Sequence, residues 1–327
     1  MRVTHLLVGL TAICAAMVLP AHSACAQTYP TKPVRVIFPI AAGSSSNDIL
    51  GRALTQRLAA TLGQQIVVDN RPGTGGGIGS ELAAKSAADG YTLLLGYTGA
   101  LAIAPSVYEK VGFDPVRDFA PVARFALIPY AMIVNPAVSA ASVKQLIALA
   151  RARPGQLNFA SSGNGSLPHL AGELFKLAAN IDLVHVPYKA GAPAVTDLLG
   201  GQVQLYFTGI TSVVPFLKVG KLRAIAVTTL VRSPLLPDVS TASESGLPGF
   251  DVASWLGILA PAGTPVPIVS RLHAEIARIC NAADMRNFIL SQGSEPALQD
   301  PAQFGGYLKT EIAKWSKVVK SANVKAD

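Results

Sequence analysis

The chain has 327 residues, of which 50% are hydrophobic and 14% are charged, and 27 Lys and Arg against 19 Asp and Glu give a net charge of +8. This composition excludes a disordered or fibrous protein, and the length is sufficient for about two domains with a sizeable core. The basic residues are scattered singly with little aromatic interleaving, so we expect no nucleic-acid partner.

The N-terminal segment has the features of a secretory signal peptide. A basic start precedes an apolar run at 6–19, and the small residues at 24–26 provide a cleavage site. The run is too short for the roughly 20 residues that cross a bilayer. We therefore predict a signal peptide at 1–26 and an exported mature chain. A lipidated Cys25 is the alternative, which is disfavoured because His22 stands where a lipoprotein signal has an aliphatic residue.

Removal of the signal peptide leaves Cys280 as the only cysteine, so no intramolecular disulfide is predicted. In its helical pattern, this residue is interpreted as a small buried hydrophobe. The remaining histidines, His169, His185 and His273, have no metal-ligand spacing. We therefore expect no bound metal.

Short apolar strand patterns alternate with helical patterns along the mature chain, which predicts an α/β protein. The first unit is predicted as strand 34–38, helix 49–62, strand 66–68, helix 81–88 and strand 91–95. The second unit follows an apolar segment at 131–134 and is predicted as helix 143–151, strand 157–160, a loop and a helix, strand 183–186, helix 193–199, strand 202–207 and strand 221–228. Helices at 267–281 and 304–319 are amphipathic and are assigned to the first unit, where the stripe on the last helix predicts core packing.

Residues 38–48 and 159–169 repeat one design, in which a strand ends in a loop of small residues that begins a helix. A helix N-terminus presents unpaired N–H groups and a partial positive charge, so each loop can receive an anion through amides, serine hydroxyls and water. If the loops face each other, both can converge on one carboxylate. Ordinary capping is the alternative, because Asn47, Asp48 and Ser166 are common N-cap residues. We interpret Asp48 as a cap whose oxygens bind backbone amides.

The sequence contains little that resembles a catalytic motif. The glycine-rich run at 73–79 does not fit GxGxxG, and the sequence has no phosphate-binding P-loop and no GxSxG elbow. We therefore expect no nucleotide or other cofactor. One enzymatic alternative stays open, an exported serine hydrolase that uses a serine of 161–166 with His169 or His185, although no orienting carboxylate is evident.

Eight short motifs occur in order along nearly the whole mature chain: YPTKPVR at 29–35, NDI at 47–49, DNRPG at 69–73, DGYTL at 89–93, NFASSGNG at 158–165, VPYK at 186–189, DLLGG at 197–201 and LAPAGTP at 259–265. Together they resemble the tripartite tricarboxylate transporter receptor family, the Bug-type solute-binding proteins. Several motifs of this length make the resemblance far more specific than a lone glycine pattern.

The resemblance implies a two-lobed α/β fold of the periplasmic binding protein type II class, in which each lobe is a doubly wound mixed sheet flanked by helices. Crossing hinge strands would join lobe 1, at 27–127 plus 254–327, to lobe 2, at 128–253. The implied function is capture of a small organic acid in the periplasm for inner-membrane transporter subunits, without covalent chemistry. A sensory role with a histidine-kinase ectodomain as partner is the alternative, and a monomer is expected.

In that family the ligand carboxylate is held mainly by backbone amides, hydroxyls and ordered waters of the two loops. Carried onto this chain, the resemblance implies ligand contacts from the first loop, the second loop and three further positions, which are Ala42, Gly43, Ser44, Ser45 and Ser46; Ser161, Ser162, Gly163, Asn164 and Ser166; and Thr98, Tyr188 and Thr208. The chain departs from the family where Gly43 is followed by three serines instead of a second glycine. It departs again at Thr208-Gly209, where the family often has an aspartate, and this disfavours a cationic ligand.

Overall fold

The structure is a computed structural model that describes residues 29–43 and 45–325. The predicted signal peptide with Cys25 and the candidate ligand contact Ser44 lie outside the described residues. In the described part of the chain, every helix is too short or too polar to cross a bilayer.

The described chain forms ten strands and ten α-helices. The strands are β1 (Val34–Phe38), β2 (Ile66–Asn70), β3 (Thr92–Tyr97), β4 (Phe119–Val134), β5 (Asn158–Ser161), β6 (Val184–Pro187), β7 (Leu205–Gly209), β8 (Arg223–Val227), β9 (Ala253–Pro261) and β10 (Glu295–Gln299). The helices are α1 (Ser46–Leu62), α2 (Gly77–Ala84), α3 (Ala104–Val107), α4 (Val143–Ala152), α5 (Leu167–Ala179), α6 (Gly191–Leu199), α7 (Val214–Lys218), α8 (Val266–Asn281), α9 (Ala283–Ser291) and α10 (Pro301–Ser321).

The strands join in the order β2-β1-β3-β9-β4-β7-β5-β6, and β10 and β8 also pair with β4. β1 is parallel to β2 and β3, and β5 is parallel to β6 and β7, whereas β4 and β9 run antiparallel to their neighbours. We call β1, β2, β3, β9 and β10 the first strand group and β5, β6, β7 and β8 the second strand group. This arrangement brings the carboxyl ends of the parallel strands, where ligands bind in open α/β sheets, to the loops that precede α1 and α5.

β4 connects the two strand groups. Its residues from Phe119 to Pro129 pair with β9, and its residues from Tyr130 to Val134 pair with β7. β8 pairs with the same C-terminal part of β4, and β10 pairs with the N-terminal part. The partner strands of β4 therefore change between two consecutive residues.

The last helix packs its apolar stripe into the core. Phe304 and Trp315 are fully buried, and Leu308 and Val319 are nearly so, which confirms the core packing predicted for this stripe. The helix begins at a capping box, in which Asp300 accepts from the Gln303 N–H. α10 contacts β10 of the first strand group, the connecting strand β4 and the helix α5 that follows β5 of the second group.

Candidate ligand-binding site

The first loop connects β1 to the 17-residue helix α1. Ser45 is the N-cap residue, with an extended backbone (φ −163°) and no hydrogen bond from its side chain to the helix. Its Oγ is buried and has no hydrogen-bond partner among the described residues. Because a buried hydroxyl is costly without a partner, this atom is suited to a ligand or to water at the positive end of α1.

Asp48 fixes the conformation of this loop. Its carboxylate is 2% exposed and accepts from the Gly43 N–H (2.8 Å), Arg52 Nε (2.8 Å) and Asn70 Nδ2 (3.3 Å). Burial opposes ionisation, but the hydrogen bonds from Arg52, Gly43 and Asn70 outweigh it and hold the pKa of Asp48 below its ordinary value. Asp48 is thus ionised, and the positive charge of Arg52 balances its negative charge. Its interpretation as an N-cap bound by several amides is wrong, because Ser45 is the N-cap and only one of these three donors is a backbone amide.

The second loop connects β5 to the 13-residue helix α5. Ser161 is fully buried, and its hydroxyl contacts both the N–H and the carbonyl of Gly163, each at 3.1 Å. Gly163 has φ +118°, a backbone conformation that side chains disfavour. Ser166 caps α5 by accepting from the His169 N–H at 3.4 Å, so this serine is the N-cap that its sequence position suggested.

A first cavity of about 210 Å³ lies between the N-terminus of α1 and the end of β7. Three of the predicted contacts, Ser45, Ser46 and Thr208, line it. The sequence patterns missed the other polar residues of its lining, which are Asn47, Tyr130, Thr211, Ser212 and Ser254. A strand-end signal was available for Thr211 and Ser212, since they follow β7 directly.

A second cavity of about 240 Å³ lies beside the N-terminus of α5. Ser162, Asn164 and Ser166, all predicted contacts, line it from the second loop. The opposite wall was not predicted and is formed by residues around the end of β3 and in the helical turns nearby, namely Gly75, Tyr97, Gly99, Ala104 and Tyr108. Among the described residues, no charged side chain lines either of these two cavities.

Thr98 is fully buried and lines neither cavity. Its Oγ1 accepts from the Trp255 N–H at 3.0 Å and lies 3.5 Å from the Ala253 carbonyl, the residues on either side of Ser254. The next residue in the chain, Gly99, lines the second cavity. Through its contacts with β9, the Thr98 hydroxyl therefore links Gly99 in the wall of the second cavity to Ser254 in the wall of the first.

The remaining predicted contacts are placed around the loops. Ala42 and Gly43 are exposed in the turn before α1, and Gly43 donates to Asp48. The Tyr188 hydroxyl donates to Asp197 Oδ2 at 2.7 Å, and burial together with this carboxylate raises the pKa of Tyr188 to about 12. Tyr188 thus has its hydroxyl engaged by α6.

The hydrolase alternative rests on Ser161 and His185, whose Oγ and Nε2 atoms are 2.7 Å apart. This separation is suitable for a nucleophile and its base. Ser161, however, is fully buried and already contacts Gly163 through both backbone groups. A substrate has no access to this hydroxyl, so the contact between Ser161 and His185 holds the loop in place and is not a catalytic pair.

The site has the features of a receptor for a small solute. Its two cavities have polar, uncharged linings among the described residues and lie at helix N-termini, near the carboxyl ends of parallel strands. The long strand β4 joins the two strand groups that contain these parallel strands. Within residues 29–43 and 45–325, no three His, Cys, Asp or Glu side chains are grouped so as to hold a metal ion. The fold and the site define a solute-binding protein with the mixed α/β fold of periplasmic binding proteins.

Comparison with known families makes this class specific. The family model described as "Tripartite tricarboxylate transporter family receptor" matches residues 50–324. The chain belongs to this family, and the predictions of family, fold class and solute-receptor function are confirmed. It is a family of binding proteins and not of enzymes, so the hydrolase alternative is wrong.

Individual relatives are similar over nearly their whole length. Protein BugT of Bordetella pertussis is 37% identical over 301 residues, which are 92% of this chain and 92% of that protein. The structure "R. palustris Rpa4515 with adipate" is 37% identical with a TM-score of 0.79, over 91% of this chain and 100% of that chain. The structure of MatC (Rpa3494) from Rhodopseudomonas palustris with bound malate is 32% identical with a TM-score of 0.74, over 89% and 100%.

Proposed function

We propose that this receptor is exported to the periplasm, binds a small organic carboxylate between two lobes and delivers it to the membrane subunits of a tripartite transporter. Lobe 1 would consist of 27–127 and 254–327, and lobe 2 of 128–253. The observation that carries the proposal is the pair of uncharged polar cavities at the N-termini of α1 and α5. Each cavity is lined by residues that lie in, or directly follow, strands of both strand groups, as expected for a ligand held between lobes.

The chemistry of the cavity walls favours an anion. The N-termini of α1 and α5 supply partial positive charge, and serine and threonine hydroxyls supply donors without a competing carboxylate in either lining. The nearest buried acid, Asp48, is neutralised by Arg52. Two similar structures contain dicarboxylates, adipate in one and malate in the other. A dicarboxylate or a related organic acid is therefore the ligand class that we propose.

Closure of the lobes would occur where β4 changes partners. Pro129 is the last β4 residue paired with β9, Tyr130 is the first paired with β7, and β9 itself begins at Ala253. A rotation about this point moves the two strand groups as bodies while their own hydrogen bonds stay intact. Such a motion provides the difference between free and loaded receptor that a membrane subunit would recognise.

Isothermal titration against aliphatic dicarboxylates, hydroxy acids and aromatic carboxylates tests the ligand class. We expect saturable binding of at least one acid, with a higher melting temperature and a smaller radius of gyration in solution scattering on binding. The diamide of adipic acid is the matched uncharged control and should not bind. A panel in which no acid produces heat or a thermal shift contradicts the proposal.

The export part of the proposal has its own test. Mass spectrometry of the protein recovered from a periplasmic extract should find a mature N-terminus at Gln27. A lipid-modified Cys25 in the membrane fraction would instead support the lipoprotein alternative. An uncleaved chain in the cytoplasm would contradict export.

A further inference from the structure

Two histidines, His169 on α5 and His185 on β6, lie behind the second loop. Their rings are stacked with centroids 3.7 Å apart and planes within 6° of parallel. The ring of Phe159 packs against both imidazoles, with its centroid 5.0 Å from that of His185 and 6.3 Å from that of His169. His169 is 6% exposed and His185 is partly buried. This stack forms a rigid support under a loop made mostly of glycine and serine.

Each histidine holds one point of the loop. The Gly165 N–H donates to His169 Nδ1 at 3.1 Å, which places the His169 proton on Nε2. His185 Nε2 lies 2.7 Å from Ser161 Oγ. We assign the Ser161 hydroxyl proton to the Gly163 carbonyl, which makes His185 Nε2–H the donor to Ser161.

The two anchors bracket the residues that line the second cavity. Ser161 and Gly165 are fixed from behind, and Ser162 and Asn164 lie between them with their surfaces in the cavity. From Ser161 to Gly165 the backbone contains two glycines at positive φ, Gly163 at +118° between the anchors and the anchor Gly165 at +71°. Glycine segments lose much conformational freedom on ordering, so an unanchored loop would weaken ligand binding by the cost of ordering it.

We propose that His169 and His185 are positioning residues, which hold the second loop in its ligand-receiving conformation through Gly165 and Ser161 before the ligand arrives. Both rings are neutral at pH 7. Burial, and then the charge of Lys176, lowers the pKa of His169 to about 4. Burial, and then the charges of His169 and Lys176, lowers the pKa of His185 to about 3. The other charged group that faces them is Glu173, whose Oε1 is 3.9 Å from His169 Nε2 and 3.1 Å from Lys176 Nζ.

The test compares His185→Leu with His185→Gln. Leucine fills the space and removes the donor to Ser161, whereas the glutamine amide can restore the donor. We expect amide hydrogen exchange in residues 162–166 of the ligand-free protein to be at least tenfold faster in His185→Leu and close to wild type in His185→Gln. His273→Gln is the matched control. This histidine contacts the Val122 carbonyl on β4, so its substitution should leave amide exchange in residues 162–166 unchanged.

A second readout is the affinity for the acid that binds best in the titration panel, and this readout rests on the proposed function. We expect a dissociation constant about tenfold weaker in His185→Leu and rescued in His185→Gln. If no acid binds the wild type, the proposed function fails while the exchange measurement still decides on the positioning role. Wild-type exchange in His185→Leu, or equal exchange in the leucine and glutamine variants, overturns the inference.

Ser161→Ala keeps the inference testable if His185→Leu does not fold. It removes the acceptor of His185 without adding volume to a fully buried position. Faster exchange at 162–166 is again expected. Exchange at the wild-type rate in this variant would overturn the proposal.

Discussion

The two loops that begin α1 and α5 look alike in sequence but are held in place by different chemistry. The first depends on charge, with the Asp48 carboxylate bound by Gly43, Arg52 and Asn70. The second depends on neutral groups, with Ser161 and Gly165 anchored to a pair of stacked imidazoles. Both solutions present small polar residues at a helix N-terminus, and the described lining of both cavities is uncharged.

The difference shows which part of the design the ligand requires. An anion needs the helix end and the donors, and it needs any nearby carboxylate to be neutralised. How the backbone is fixed behind those donors is open to variation. We therefore expect the two loops to respond differently to substitution and to pH.

Asp48→Ala should cause the largest loss of stability. It leaves the Gly43 N–H and the Asn70 amide without their acceptor and removes the partner of Arg52. Unpaired buried donors cost about 1–3 kcal/mol, so we expect the free energy of unfolding in urea to fall by about 3 kcal/mol. The stability of Asp48→Asn should lie between those of the wild type and Asp48→Ala. Its amide oxygen can still accept a hydrogen bond, but its NH2 group faces other donors.

Asp284→Ala is the matched control for this change. Asp284 also pairs with an arginine, Arg57, at 2.9 Å, but it is 64% exposed. Exposed pairs of this kind contribute about 0–1 kcal/mol. Equal losses in the Asp48 and Asp284 variants would contradict the role assigned to the Asp48 network.

The pH dependence of stability should separate the two loops. His169 and His185 have pKa values of about 4 and 3, below the ordinary value of 6.5, so the unfolded chain binds more protons as the pH falls below 6.5. The stabilisation from the neutral histidines is therefore complete above pH 6.5 and is lost as the pH falls towards their folded-state pKa values, by about 2 kcal/mol for each histidine at pH 5. The pKa of Asp48 lies below its ordinary value of 3.8, so its contribution is lost only at lower pH.

Urea titrations of the wild type and of His169→Gln at pH 7.5, 6 and 5 test this separation. Glutamine can accept from the Gly165 N–H but does not titrate, so the variant should lose less stability between pH 7.5 and 5. Parallel pH profiles for the two proteins would show that the histidine stack is not the source of the acid sensitivity.

The α/β class and most of the short strands were predictable from the sequence, because apolar runs alternate with helical patterns and are bounded by Gly and Pro. β4 was not predicted at its full length, since Pro121 and Pro129 interrupt the apolar pattern and proline usually ends a strand. β10 was missed for the same reason, because Pro296 lies within it. The α2 helix was predicted too late in the chain, since its first residues are glycines.

The site was predictable only in part. The loops could be found because small residues follow a strand and precede a helix, and six of the predicted residues line the two cavities. The opposite walls come from distant elements such as Tyr97 and Ser254, and no local pattern indicates that they meet. The partners of Thr98 and Tyr188 were equally hidden, because hydroxyls bound by Trp255 and Asp197 look the same in sequence as free ones.

Gly163→Val should weaken carboxylate binding while leaving the fold intact. Valine is strained at φ +118°, so the loop must shift, although its Cβ would be in ordinary contact with the Tyr188 carbonyl at 3.4 Å. We expect the dissociation constant to rise about tenfold, which corresponds to about 1.4 kcal/mol. Gly220→Val is the control, because this glycine also has positive φ but lies in open space in the turn after α7. Calorimetric titration that gives equal affinities for the two variants would remove Gly163 from the site.

Tyr188→Phe should have the smallest effect and tests how the second loop is joined to α6. It removes the 2.7 Å hydrogen bond to Asp197 and leaves the backbone bond from the Tyr188 N–H to the Ser161 carbonyl in place. We expect a loss of about 1 kcal/mol in the free energy of unfolding, with carboxylate affinity within about twofold of wild type. Asp197→Asn, which still offers an acceptor to the phenol, should lose less stability than Tyr188→Phe. A tenfold loss of affinity without a change in stability would instead make the Tyr188 hydroxyl a ligand contact. Ligand binding would then require this side chain to turn away from Asp197, at which the ligand-free structure directs it.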